Sequence, residues 1–131
     1  MKYESGIGHV RPLLAPVSRL IFGKQYRLEV AAAASALDDP IWSRRLAQLL
    51  GLAENQVAGE LGRLVEIGAL TEFPEAHDRR KLYQLASHPI WPFVRDLAEK
   101  TIRDAVGEGA IEDFWTEICG GAPRAIVGGE R

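Results

Sequence analysis

Residues 43–73 read SRRLAQLLGLAENQVAGELGRLVEIGALTEF, and the fold turns on this stretch. Its opening, residues 43–50, is a short amphipathic segment in which Ser43 is placed to accept hydrogen bonds from the first free amides of a helix. Gly51 ends that helix. A second begins almost at once, from about Glu54 to Ile67, with Val57, Leu61, Leu64 and Val65 on one face and Gly68 as its cap. The periodicity then changes. Residues 69–73 (ALTEF) and 81–85 (KLYQL) alternate as strands do, and the polar stretch 74–80 between them reads as a loop.

Working outward, apolar side chains at Leu13, Leu14, Val17, Leu20 and Ile21 recur at three- and four-residue spacing. They predict a helix over 12–22 despite Pro16. Residues 26–37 are rich in alanine and predict a second helix, closed by Asp38-Asp39-Pro40 because the residue before proline avoids the helical region. Downstream, Pro89 and Pro92 mark a junction. Phe93, Val94, Leu97, Ala98, Thr101, Ile102 and Ala105 then form an apolar stripe, and Ile111, Phe114, Trp115 and Ile118 form another after Gly107 and Gly109. The expected organisation is one domain over 1–131. It comprises an N-terminal helix at 12–22, a core at 26–86, a helical dimerisation region at 92–118 and a loose tail at 120–131.

With 131 residues, 47% of them hydrophobic and 26% charged, the chain has an ordinary globular composition with room for one modest core. Residues 28–37 form the longest apolar patch, and Glu29 and Ser35 interrupt it, so no bilayer-spanning segment is expected. The first ten residues lack the apolar run of a signal peptide, which leads to the expectation of a cytoplasmic protein. Cys119 is the single cysteine, which excludes an internal disulfide and a cysteine-cluster metal site. The net charge of -2 is unevenly spread: residues 1–50 carry seven basic and four acidic side chains, and residues 51–131 carry nine and fourteen. Arg79, Arg80 and Lys81 are consecutive within the acidic half. Screening acts over about 8 Å in physiological salt, so such a local cluster matters more to a phosphate than the total does.

Two helices separated only by Gly51-Leu52-Ala53 must cross steeply, which leaves the second free to project. A projecting helix fits the DNA major groove, and a ribbon with a basic tip can reach the minor groove or the backbone beside it. Residues 46–73 resemble the helix-turn-helix of the MarR and ArsR winged-helix regulators, and HDRRKLYQL at 77–85 resembles their wing. Leu46-Ala47, Leu50-Gly51-Leu52, Val57, Leu61, Leu64 and Gly68-Ala69-Leu70 fall where those families place structural residues. Asp78 and Arg80 match the acidic-x-arginine pattern of the MarR wing, and Tyr83 and Leu85 match the second wing strand of ArsR-like proteins. Phe22-Gly23 and Arg27-Leu28 are similar to the helix that opens ArsR-like domains. The resemblance spans roughly residues 20–86 and is to the superfamily, not to one member family. It implies an α+β winged helix-turn-helix with a two- or three-stranded wing and flanking terminal helices. It further implies a homodimeric transcription regulator that binds double-stranded DNA, with no catalytic role and no cofactor. Two departures stand out. Ala53 occupies the position of a capping serine or threonine, and Gly59 and Gly62 lie inside the recognition helix, each at a cost of about 1 kcal/mol.

Within this frame Asn55 and Gln56, in the first turn of the second helix, can pair with adenine edges, and Glu54 opens the same turn. Gly59 would permit close approach to DNA. Arg63 would touch phosphate or pair with Glu60 or Glu66. At the wing, Arg79, Arg80 and Lys81 would grip phosphate or enter the minor groove, with Asp78 pairing to Arg80 and leaving Arg79 for insertion. Arg44 and Arg45 open the first motif helix, an end that faces phosphate in this architecture. His9, His77 and His88 show no ligand spacing, so no metal is expected. Cys119, beside Trp115 and Ile118, reads as a buried structural residue more readily than as a redox sensor. For the flanking aromatics three uses remain open: a dimer interface, the chain's own core, or a pocket for a small-molecule effector. The interface candidates are Leu13, Leu20, Phe93, Leu97, Phe114 and Trp115. The rival reading of the whole chain is a winged helix used for protein–protein assembly, without DNA affinity of its own.

Overall fold

A computed structural model describes residues 10–74 and 80–126. The helix expected over 12–22 is built in two pieces. A 3-10 turn, Arg11–Leu14, runs into α1, Ala15–Phe22, with Pro16 in the opening turn where its missing N–H has no helical partner to lose. The alanine-rich segment is α2, Arg27–Ala36, and every residue from Leu28 to Ala36 is buried. Small side chains let neighbours approach closely, and α2 packs against α1, against both helices of the central motif and against both C-terminal helices.

The motif follows as α3, Ser43–Leu50, and α4, Glu54–Glu66. Gly51 joins them at φ 69°, a left-handed conformation that glycine adopts without the steric penalty of a Cβ. The helices pack on each other through the buried Leu46, Leu50, Val57 and Leu61. Ser43 is not the cap that the sequence suggests. Trp42 occupies that position with extended backbone, and the Ser43 hydroxyl donates to Glu54 Oε2 at 3.3 Å, tying the two helix starts together.

Strands β1, Leu70–Pro74, and β2, Lys81–Leu85, form an antiparallel hairpin in which Leu70 faces Leu85 and Glu72 faces Tyr83. Ile41 adds a single-residue third strand, exchanging two backbone hydrogen bonds of 2.9 Å with Tyr83.

The C-terminal region, expected over 92–118 with an interruption at Gly107 and Gly109, is two helices: α5, Ile90–Val106, and α6, Gly109–Cys119. They break at Gly107, whose φ of 114° no other residue type adopts readily. Trp91 is 1% exposed, and its Nε1 donates to Ala69 O at 3.2 Å and Ala86 O at 3.1 Å, which anchors α5 to the base of the hairpin. Phe114, Trp115 and Ile118 of α6 are also buried and close the same core. Phe114 and Trp115, expected on a dimer interface, therefore belong to the interior of this chain. The reason is geometric: α6 folds back over α2 and α5, and its apolar stripe is spent there.

The tail expected to be loose is held as far as Ile126. Arg124 Nη1 pairs with Asp39 Oδ1 at 2.9 Å, its N–H donates to Ala36 O at 3.2 Å, and its carbonyl accepts from Arg95 Nη2. Arg95 also donates to Ser35 Oγ at 3.0 Å and to Ser35 O at 2.6 Å. Burial pushes the Arg95 guanidinium below its ordinary pKa, opposed by the negative charge of Glu99. Residues 127–131 lie outside the described residues. No described helix is long and apolar enough to cross a membrane.

Candidate nucleic-acid interface

One face of α4 is turned to the core and the other is bare. Val57, Glu60, Leu61 and Leu64 are buried, whereas Glu54, Asn55, Gln56, Gly59 and Arg63 are exposed. That division follows from the 3.6-residue repeat of the helix. Glu60 is a buried carboxylate on the apolar side, and Arg27 neutralises it through two hydrogen bonds of 2.7 and 3.2 Å. This resolves one alternative for Arg63: its neighbour Glu60 is taken, and among the described residues Arg63 forms no ion pair. Its guanidinium stands exposed on the outer face.

The start of α4 shows how the missing capping residue is replaced. Ala53 has no side-chain acceptor, so the capping box is half formed: Gln56 Oε1 reaches back to the Ala53 N–H at 3.4 Å. Gln56 is thus partly engaged at the helix end, and Asn55 is the amide that projects without a local partner. At Gly59 and Gly62 an added Cβ would meet nothing within 4 Å, so neither glycine is required by packing inside the chain.

Beside α4 the start of α3 and the hairpin enclose a groove of about 640 Å³, lined by Trp42, Arg44, Glu54, Gly62, Arg80, Lys81 and Tyr83 among others. Arg44 is exposed and, among the described residues, forms no ion pair. Lys81 lies 3.5 Å from Glu72 across the hairpin. Burial, then the charge of Glu72, raises the Tyr83 hydroxyl above its ordinary pKa, so it enters the groove wall as a neutral group. Trp42 carries the feature that sequence reasoning missed. The Arg45 guanidinium carbon lies 5.7 Å from its ring centre and that of Arg80 lies 5.0 Å from it. Arg80 therefore lies over an indole; its expected pairing with Asp78, and Arg79 itself, lie outside the described residues. The only sequence signal for this arrangement was an aromatic residue next to a basic pair, Trp42-Ser43-Arg44-Arg45.

No family model matches the chain, and no curated protein does. Among solved structures, a MarR-family transcriptional regulator from Rhodococcus sp. RHA1 superposes with a TM-score of 0.50 and 20% identity, over 73% of this chain and 66% of that one. The fold is a winged helix. In this winged helix α3 and α4 are the helix-turn-helix, β1 and β2 are the wing, and Ile41 supplies its short third strand. Of the site residues read from the sequence, Arg44, Glu54, Arg80 and Lys81 line the groove, whereas Arg63 stands in the wall of a second cavity, between α2, α4 and α5. The interface candidates divide. Leu20 is 84% and Phe93 48% exposed, Leu13 and Leu97 are half-buried against the core, and Phe114 and Trp115 are inside it. Ile21 and Ile67, half exposed, join Leu20 and Phe93 as uncovered apolar side chains. A smaller cavity of about 280 Å³ lies between α2, α4 and α5, with the Arg27–Glu60 pair in its wall and Phe22, Ile67 and Ile90 around it.

Proposed function

We propose that the chain is a non-enzymatic transcription regulator that binds double-stranded DNA through α4 and the wing, sequence-specifically and as a homodimer. One observation carries the reading. The outer face of α4 bears Asn55, Gly59 and Arg63, and the groove beside it adds Arg44, Arg80 and Lys81, so base-reading and phosphate-binding groups share one surface. Set in the major groove, α4 presents Asn55 to base edges near its N-terminus, while Arg44 and Arg45 at the start of α3 and the wing arginines meet the flanking backbone. The excess of acid over base in the sequence does not oppose this, because α6 carries Glu112, Asp113 and Glu117 with no basic side chain and none of them lines the groove, while the charges of α5 balance. A single winged helix covers one short half-site. Two copies joined through the exposed Leu20, Ile21 and Phe93, with Leu13 and Leu97 beneath them, would read both halves of a near-palindrome.

The deciding experiment is fluorescence anisotropy on a random-sequence duplex over a series of salt concentrations, with sedimentation of the free protein. Binding that weakens steeply with salt, by a chain that sediments as a dimer at micromolar concentration, is the expected result. Absence of binding at low salt would replace this reading with a winged helix that binds protein. A monomer that binds DNA one-to-one would remove the dimer alone.

A further inference from the structure

We propose that Arg124, in the segment after α6, is a positioning residue for DNA binding: through Asp39 it fixes the start of α3 and the root of the wing in one frame. The inference rests on the DNA-binding reading above and deepens it.

The C-terminal end of α2 is buried and has no glycine to close it. Leu37 turns the chain into extended backbone, so the carbonyls of Ser35, Ala36 and Leu37 have no intrahelical partner. Two arginines from distant elements supply the missing donors. Arg95 of α5 donates to Ser35 O at 2.6 Å, while Arg124 donates its backbone N–H to Ala36 O at 3.2 Å and Nη1 to Leu37 O at 3.3 Å. Positive charge suits this place, because it also complements the negative end of the helix dipole. Arg124 O accepts from Arg95, which joins the two cations into one unit.

The same Nη1 lies 2.9 Å from Asp39 Oδ1, and that oxygen accepts the Leu85 N–H at 3.3 Å. This contact is in register with the sheet. Ile41 faces Tyr83 in an antiparallel bridge, so the next hydrogen-bonded step of the ladder pairs Asp39 with Leu85. The Asp39 carboxylate there takes the part of a backbone carbonyl and lengthens the short third strand by one step. Its side chain is 27% exposed and that of Arg124 25%, so salt screens the pair less than it would one on the open surface. Asp39 leads directly to the start of α3, which carries Arg44 and Arg45, and Leu85 ends the strand that Lys81 begins at the wing. Both elements must meet the duplex backbone at once, and holding them in place beforehand spares the cost of ordering them on binding. Arg124 does not line the groove and acts only through Asp39.

The test compares wild type with Arg124→Ala, which removes the pair, Arg124→Lys, which restores a charged donor, and Asp39→Asn, which keeps an acceptor for Leu85 without the charge. Each protein is melted, followed by amide hydrogen exchange in NMR, and titrated with a random-sequence duplex across salt concentrations. In Arg124→Ala the Leu85 amide should gain exchange rate by a larger factor than the Leu61 amide, which is buried in α4 and reports loss of overall stability alone. The folded variant should bind duplex about three- to tenfold more weakly and with a shallower salt dependence. Arg124→Lys should recover most of both. Asp39→Asn, the milder change, should match Arg124→Ala in binding, and the double variant should be no weaker than either single one. Equal acceleration at Leu85 and Leu61, or wild-type affinity and salt dependence in Arg124→Ala and Asp39→Asn, would overturn the inference and leave DNA binding standing. A wild-type chain that binds no duplex would overturn both.

Discussion

Arg27, Arg95 and Arg124 hold the helical body together, whereas Arg44, Arg45 and Arg63 ring the outer surface of the helix-turn-helix. The first three are half-buried and committed: to Glu60, to Ser35 and the tail carbonyl, and to Asp39 respectively. The second three have no carboxylate partner among the described residues, and Arg45 leans on an indole instead. The contrast shows why net charge misleads in this protein. A guanidinium already paired in the interior contributes little to the field a phosphate meets, and one left unpaired on a rim contributes most of it. The balance of -2 sums both kinds and describes neither.

The largest effect that would sharpen this contrast is in the body. Arg27→Ala should strand the Glu60 carboxylate, which is only 7% exposed as a side chain, and lower unfolding stability by about 3 kcal/mol in a urea titration. The folded protein should still bind duplex as wild type does. A destabilisation under about 0.5 kcal/mol, the size of an ordinary surface change, would mean that solvent reaches Glu60. The two sets of arginines would then differ less than their partners indicate.

Next comes base reading. Asn55→Ala should reduce discrimination between operator and random duplex by about 1–3 kcal/mol per affected base pair. Gln56→Ala should reduce it less and instead cost a few tenths of a kcal/mol in helix stability, because Gln56 Oε1 is drawn back to the Ala53 amide. Equal weakening on both duplexes in the Asn55 variant would assign that residue to positioning.

On the rim, the Arg44→Ala, Arg63→Ala double variant should melt within about 0.5 kcal/mol of wild type, as surface changes do. Its salt slope should be shallower by about 0.9 for each phosphate that the variant no longer neutralises. An unchanged slope would place both residues outside the DNA-binding surface. The smallest effect belongs to Gly59→Ala, which adds a Cβ into open space and should stabilise the chain by up to about 1 kcal/mol. Weaker duplex binding despite that gain would show that the glycine lets α4 approach DNA closely; unchanged binding would show that it does not.

The sequence readily shows local periodicity and chain punctuation. The spacing around Gly51 and Gly68, the alternation in 69–73 and 81–85, and the Gly107 interruption each act within a few residues, so they are visible in one dimension. The two apolar stripes after residue 92 are also visible, but the surface they cover is not. A stripe on a helix states that something must be buried, and only the path of the chain decides whether the partner is another copy or the same molecule. That is why Phe114 and Trp115 read as interface residues and proved to be core. It is also why α6 cannot be treated as a detachable arm.

Residue order alone determined the helix-turn-helix and its hairpin, because capping, turn and strand preferences are local and consistent there. It also determined that the outer face of α4 would be polar, since the 3.6-residue repeat leaves Asn55, Gly59 and Arg63 opposite Val57, Leu61 and Leu64. Tertiary structure decided which charges are spent and which are available. Arg27 finds Glu60 across 33 positions of sequence, Arg95 finds Ser35 across 60, and Arg80 meets Trp42 only after Ile41 joins the sheet beside Tyr83. Such pairings depend on where several elements come to rest together. A guanidinium has the same composition and hydropathy whether it is buried against a carboxylate or lies over a half-exposed ring, so no local pattern distinguishes the two.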